Sequence, residues 1–427
     1  MEINTIYSKF LECSSVSTDT RKIDNNSLFV ALKGENFDAN TFVKEALNKG
    51  AKYVIIDNKD FYIDERTILV NDSLKTLQEL ANFHRKELKL PIIGLTGSNG
   101  KTTTKELINV VLSKKYKTIA TIGNLNNHIG VPLTLLRLTN ETEIGIIEMG
   151  ANHQKEIEFL CSIAEPDFGY ITNFGKAHLE GFGGIEGVIK GKSEMYTYLN
   201  ENKKTVFVNL DDNIQEERTK GINRFTFSQN NPKADVFISS VDANPMVNIK
   251  YNVVSIQSNL IGIYNANNIN AAISIGKYFK IDDIATKEAI ENYIPENNRS
   301  QMIQKNSNEI IMDAYNANPS SMTVALENFF QLTKTPKIAI LGDMFELGDE
   351  SFEEHQKIVE LVSNHSEVEV NFIGKHFYKT KKESKHIHFF EDFDSFSNTL
   401  KGKNFKNSLL LIKGSRGMAL ERTLDFI

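Results

Sequence analysis

Short apolar runs alternate along this chain with longer stretches in which apolar positions recur every three or four residues. One series reads PIIGLT (91–96), KTTTKELINVVLSKK (101–115), IGIIEMG (144–150), HQKEIEFLCSIA (153–164), FGYIT (168–172) and TVFVNL (205–210). Uninterrupted apolar runs match strands buried on both faces, and the 3.6-residue pattern matches amphipathic helices. Their alternation predicts a mainly parallel sheet flanked by helices. A second series begins near residue 309 with EIIMDA, PSSMTVALENFFQL, PKIAILGD, EVEVNFIG and SLLLIKGS, enough strands for a sheet of its own. The polar segment IPENNRSQ (294–301) separates the two, and HRKELKLP (84–91) reads as the exit from a smaller α/β unit. The expected fold class is therefore α/β in three units: 1–84, 85–297 and 298–427.

Composition narrows the function. With 49 Lys+Arg against 55 Asp+Glu, the net charge is −6, and 24% charged with 40% hydrophobic residues is ordinary for a globular chain. No basic block marks a nucleic-acid binder, so no nucleic-acid partner is expected. No stretch approaches the ~18 apolar residues of a membrane helix, so no membrane association is expected either. Two cysteines, Cys13 and Cys161, build no disulfide framework, and the chain is expected to be cytoplasmic.

The chemistry starts at PIIGLTGSNGKTTT (91–104), where an apolar strand runs into a small-residue loop and then a helix. Backbone N–H groups in such a loop, together with the helix N-terminus, cradle phosphate oxygens. Gly97, Ser98, Asn99, Gly100, Lys101, Thr102 and Thr103 form the expected cradle. Lys101 would neutralise the β and γ phosphates, and the Thr102 hydroxyl would bind Mg²⁺. The first glycine of the common longer loop is replaced by Leu95, leaving the shorter pattern GxxGKT. Glu148, an acid closing an apolar strand, is the expected carboxylate on that Mg²⁺. On residue type alone, a lone histidine in a glycine-rich loop, such as His178, is more often solvated or capping than a ligand. Lys192, on a predicted helix, reads on residue type alone as a surface lysine.

The segments GLTGSNGKTTT, IIEMGANHQKEI, TNFGKAHLEGFG and KGKSEMY, in this order and spacing, resemble the ATP-dependent Mur ligases of peptidoglycan synthesis, whose relatives include folylpolyglutamate synthases. The short GxxGKT loop is that family's usual form. The resemblance covers all three units and implies a small UDP-binding α/β domain, a central P-loop ATPase domain and a C-terminal Rossmann-like domain. It implies ATP and two Mg²⁺ ions, the second held by His178 and a carbamylated Lys192, with Lys190 two residues away as the competing lysine. Lys101, Glu148, His178 and Lys192 become the catalytic set.

Within the family, DAYNANPSSM (313–322) resembles the branch that joins D-alanyl-D-alanine to UDP-N-acetylmuramoyl tripeptide. The chain lacks the Asp-Tyr-Ala-His-Thr-Pro segment of the third-residue ligase and the Asp-Asn-Pro-Arg motif of the diaminopimelate-adding enzyme. GNLNNHIGVPLTLL (123–136), LGDMFELG (341–348), LIKGSRGMALE (411–421) and STDTRKIDNNSLFVALKGENFDAN (17–40) support the same branch. The resemblance implies adenine contacts at Asn265 and Asn268, with Tyr264 where the family has histidine; a plain helix-capping role for these asparagines is the alternative. It implies Arg299 on the γ-phosphate and Asp313 on the ribose. For the substrates it implies Thr20 and Arg21 near the uridine diphosphate, and Asn127 as a further contact. Lys413, Ser415 and Arg416 would hold either the dipeptide's carboxylate or the tripeptide's acidic groups. A monomer is expected, with the halves of its site closing before chemistry. Lysine and diaminopimelate both remain open as the third residue of the peptide. The rival readings are a sister ligase that adds the third amino acid or resembles the folylpolyglutamate synthases, a P-loop ATPase switch, and a non-catalytic UDP-sugar-binding relative.

Overall fold

The computed structural model describes residues 2–296, 298–401 and 405–427. Met1 and Asn297, the outer residues of two of the predicted units, lie outside the described residues. Three principal sheets carry the structure. The first, of four parallel strands, contains Val16–Ser17, Leu28–Val30, Tyr53–Ile56 and Thr67–Leu69. The last has six strands, in which Gln301–Lys305 runs antiparallel to Asn308–Asp313 and all other pairings are parallel.

The central sheet has nine strands. Seven are parallel; Met246–Tyr251 and Val254–Ile261 extend one edge as antiparallel partners. Strand Ile92–Thr96 is buried at all five positions, as its unbroken apolar run requires. It lies between Ile144–Glu148 and Phe168–Ile171, so the chain leaves it toward one side of the sheet and later returns on the other. A crevice forms at the carboxyl ends of such a switch point, which is where α/β sheets take ligands.

The charged stretch expected as the helix end that leads out of the first unit is the end of helix Ser73–Leu88, and it packs on the central unit. His84 Nε2 hydrogen-bonds the Leu138 carbonyl at 2.8 Å, and Arg85 pairs with Asp167 at 2.8 Å. Long cationic side chains at such a helix end reach partners across a packed boundary. Among the described residues no helix is long and apolar enough to cross a membrane.

Two glycines hold the phosphate loop against its neighbours. Gly97 sits at φ 138°, and a Cβ there would lie 2.0 Å from Thr172 Oγ1. Gly100, at φ 78°, is the residue before helix Lys101–Leu112, and a Cβ would lie 2.5 Å from Asn268 Oδ1. Gly97→Ala is therefore expected to destabilise the protein by about 1–3 kcal/mol through overpacking and a disfavoured φ. Chemical denaturation checks it, and an unchanged midpoint would mean that the loop can withdraw from Thr172.

Candidate active site

The loop after strand Ile92–Thr96 is stitched to the loop after strand Phe168–Ile171. Ser98 N–H donates to the Asn173 carbonyl at 3.0 Å, and Asn99 N–H to Asn173 Oδ1 at 3.1 Å. Ser98 Oγ donates to the Gly175 carbonyl at 2.7 Å, and Thr172 Oγ1 to the Asn99 carbonyl at 2.6 Å. Lys101 folds back over this loop, its Nζ donating to the carbonyls of Gly97 at 2.7 Å and Ser98 at 3.2 Å. Burial pushes the Lys101 ammonium below its usual range; Glu148 opposes that shift and Arg299 adds to it. A second anion beside Lys101 would relieve the same strain.

Glu148 ends strand Ile144–Glu148 and is 1% exposed. Its Oε2 accepts from the Thr102 hydroxyl at 3.0 Å and its Oε1 from Asn126 Nδ2 at 2.8 Å. Its backbone N–H donates to Thr121 Oγ1 at 2.9 Å, and buried Lys105 fixes the Thr121 carbonyl at 2.7 Å. Among the described residues no three His, Cys, Asp or Glu side chains cluster as a metal cage. One buried carboxylate with one hydroxyl, opening on a cavity, is nonetheless the donor set that Mg²⁺ uses when phosphate oxygens and water complete its octahedron. The residues fit that ion.

His178 lies at the start of the short helix Leu179–Phe182, at φ 53°, and its Nδ1 hydrogen-bonds the carboxylate of Glu346 from the C-terminal unit. Lys192 sits on helix Ile185–Glu201 but is 1% exposed, so the surface reading fails. Its Nζ donates to the Ala151 carbonyl at 3.1 Å and stands 4.9 Å from the centre of the Phe182 ring. Burial drives its pKa well below the usual lysine value, Lys101 adds to that shift, and Glu156 and Glu194 only partly oppose it. Those two carboxylates are engaged elsewhere: Glu156 accepts the N–H groups of Asn152 and His153, and Glu194 those of Lys155 and Glu158.

A cavity of about 1150 Å³ joins the central and C-terminal units. It is lined by Ser98 through Thr103, Asn127, Glu148, His178, Asn265, Asn268, Arg299, Asp313 and Lys413. Asn268 accepts from the Thr104 hydroxyl at 3.0 Å and donates to Asn265 Oδ1 at 2.8 Å, tying this wall to the phosphate-loop helix. Neither asparagine side chain caps its helix start; Asn265 Nδ2 donates to the Ile261 carbonyl at 2.8 Å instead. The Arg299 guanidinium lies 3.7 Å from the Tyr315 ring centre. Asp313 accepts from Ser300 N–H at 3.1 Å and pairs with buried Lys413 at 2.6 Å.

Lys413, Ser415 and Arg416 do not converge on one anion site. Lys413 is committed to Asp313, while Ser415 is buried and accepts Phe345 N–H at 3.0 Å. The Arg416 side chain is 59% exposed and pairs with Glu421 at 2.7 Å. Lys413 ends its strand while Arg416 opens the 3-10 turn Arg416–Met418, and this change of backbone direction separates the three. Thr20 and Arg21 lie on the N-terminal unit and are not among the residues lining this cavity, with Arg21 paired to Asp19 at 2.8 Å. Asn127 lines the cavity but also caps helix Gly130–Leu135 through the N–H groups of Ile129 and Gly130. Asn126, Thr121, Asn318 and Glu346 were missed as site residues. All but Thr121 stand in segments already singled out, and each was hidden because its partner is far away in sequence: Asn318 Nδ2, for example, donates to Asn99 Oδ1 at 2.7 Å.

A phosphate loop at a switch point, facing a second α/β unit across a shared cavity, defines a nucleotide-dependent enzyme of two cooperating domains. Family models match the chain in three blocks: Mur ligase family, catalytic domain, over 12–85; Mur ligase middle domain over 95–276; and Mur ligase, glutamate ligase domain, over 298–416. The chain belongs to the Mur ligase family. The UDP-N-acetylmuramoyl-tripeptide--D-alanyl-D-alanine ligase of Bacillus subtilis (strain 168) is 34% identical over 421 residues, covering 95% of this chain and 91% of that protein. The crystal structure of MurF from Acinetobacter baumannii superposes with a TM-score of 0.86 at 28% identity, covering 99% of this chain and 97% of the other. MurF ligase from Thermotoga maritima in complex with ADP gives 0.84 at 27% identity, with 98% and 97% covered.

Proposed function

We propose that this protein is an ATP-dependent ligase that joins D-alanyl-D-alanine to UDP-N-acetylmuramoyl tripeptide, releasing ADP and phosphate. The single observation carrying the reading is the cavity between the two units, with Lys101, Thr102 and Glu148 on one wall and Asp313 with Lys413 on the other. Its amine specificity rests on the relatives' names and the DAYNANPSSM segment. The units 1–84, 85–297 and 298–427 would divide the work into UDP binding, ATP binding and closure over the amine.

Amide formation from a free carboxylate is uphill in water, so the carboxylate oxygen must become part of a leaving group. The tripeptide's terminal carboxylate attacks the γ-phosphorus of ATP, the bond to the β-bridging oxygen breaks, and an acyl phosphate and ADP result. The dipeptide amine then adds to the acyl carbon, loses a proton, and inorganic phosphate departs. Two anions meet in the first step, and Lys101 and Arg299 supply the positive charge that offsets their repulsion. The backbone N–H groups of the phosphate loop orient the phosphates, Asn265 and Asn268 border the adenine, and Asp313, held by Lys413 and Ser300, accepts from the ribose. Thr20, Arg21 and Asn127 bind the UDP-sugar.

Thr102 and Glu148 would hold one Mg²⁺, and His178 with a carbamylated Lys192 a second; these ions supply charge neutralisation at the phosphate and carboxylate oxygens. Carbamylation suits Lys192 because only a neutral amine adds to CO₂, and burial without a free carboxylate partner favours that form. Nζ bonds to the CO₂ carbon, a proton leaves, and an ammonium that repels Mg²⁺ becomes an oxygen donor.

The test is phosphate release with ATP, Mg²⁺ and the UDP-sugar tripeptide, offering D-alanyl-D-alanine, D-alanine, lysine, diaminopimelate and glutamate separately. Release with the dipeptide alone, matched by a pentapeptide mass, is expected. Release with another amine would move the protein to a sister ligase, and silence with all five would sink the ligase reading.

A further inference from the structure

The structure assigns to Glu346 a positioning role: from across the domain boundary it orients the His178 imidazole, so that the cation site at His178 is complete only when the C-terminal unit has closed. This rests on the two-ion reading above. Histidines that ligate metals characteristically give their other ring nitrogen to a carboxylate, which fixes the tautomer and raises the basicity of the ligating nitrogen. Here His178 Nδ1 meets the Glu346 carboxylate, 168 residues away in sequence. With the Nδ1 proton held there, the Nε2 lone pair is left for a cation.

The backbone supports a function at this contact. His178 at φ 53° and Glu346 at φ 61° both occupy the left-handed region that residues with a Cβ seldom adopt. Such conformations persist where surrounding structure enforces them, and they collect at functional sites. The enforcement at Glu346 is visible in its turn. Met344 and Leu347 on either side are buried. Met344 N–H donates to His355 Nε2 at 3.1 Å, and His355 Nδ1 bonds the Ser351 carbonyl at 2.6 Å. Phe345 N–H is held by Ser415 Oγ, and Glu180 N–H donates to the Glu346 carbonyl at 3.3 Å.

Neighbouring contacts hold the same two segments together. Lys176 Nζ reaches buried Glu354 at 2.7 Å, and Lys176 N–H donates to Ser320 Oγ at 2.9 Å. These bonds clasp the loop that carries His178, but only Glu346 touches the imidazole among the side-chain hydrogen bonds of the described residues. Separation of the two units would therefore leave His178 without the carboxylate that sets its tautomer.

The experiment counts bound Mn²⁺ by electron paramagnetic resonance, with a non-hydrolysable ATP analogue and the UDP-sugar tripeptide present, and follows thermal melting in parallel. Wild type is expected to hold two ions. Glu346→Ala should weaken the looser one by about 10- to 100-fold while leaving the tighter one within about twofold. Glu346→Gly removes the carboxylate and the backbone strain together. It should match Glu346→Ala in Mn²⁺ affinity while melting at the same or a higher temperature, a combination that a purely structural residue cannot give. Lys176→Met breaks the adjacent clasp alone and should weaken the looser ion by less than about threefold. Unchanged affinity in Glu346→Ala overturns the proposal, and so does an equal loss in Lys176→Met, which would make Glu346 one strand of a general clasp. A wild type that holds a single ion overturns the two-ion reading itself, and is told apart because no variant then has a second ion to lose.

Discussion

Lys101→Ala is expected to lower kcat by about 10³-fold, a loss of ~4 kcal/mol of transition-state stabilisation, while the protein still folds. The residue is the first of its helix and its Nζ rests on the carbonyls of Gly97 and Ser98, so the charge sits directly over the loop expected to hold phosphate. Burial disfavours this ammonium when the cavity holds no anion, and an incoming phosphate reverses the balance. Lys101 is therefore expected to contribute more to the proposed phosphoryl transfer, where negative charge is concentrated, than to stability. Lys101→Arg should rescue little, because a planar guanidinium cannot fold back onto two carbonyls within one turn of the loop. Single-turnover ADP formation measures the effect, and a loss under tenfold would remove Lys101 from the chemistry.

Lys192→Met is expected to lower activity by about 10²- to 10³-fold and yet to leave the melting temperature at pH 7 unchanged or raised. The two effects separate because the side chain is buried against Phe182 with one carbonyl as its hydrogen-bond partner, so an unbranched apolar chain packs there at no charge penalty. The pH dependence has a definite sign. The folded-state pKa lies well below the unfolded value, so the unfolded chain binds more protons between the two. Stability from this group accordingly rises with pH through that window, and is lost as pH falls through the folded pKa. Lys192→Met should flatten that slope. A carbamate forms only from a neutral amine, so the proposed modification of Lys192 predicts that activity falls in CO₂-depleted buffer and returns with bicarbonate. Lys192→Ala, which leaves room for a small molecule, should regain part of its rate with added acetate or formate. A slope that persists in Lys192→Met would assign it to another group, and activity indifferent to CO₂ would mean that Lys192 acts unmodified.

The strands and the phosphate loop were legible in the chain because their signals are local. A run such as IIGLT has one stable environment, a strand buried on both faces, and GSNGKTT has φ requirements and a helix start that adjacent residues satisfy. Glu148 was legible for a related reason, since an acid that closes an apolar strand must find a partner at the sheet's carboxyl edge. The family motifs carried His178 and Lys192, for which the bare pattern favoured a solvated histidine and a surface lysine. Tertiary structure alone decided that Lys192 is buried with no free carboxylate beside it, and that Lys413 belongs to Asp313 rather than to Ser415 and Arg416. It alone brought Glu346 to His178 and Asn318 to Asn99. Each of these outcomes depends on which surfaces dock and which water is excluded, and contacts between groups some 100 to 220 residues apart leave no period or spacing in the chain to be read.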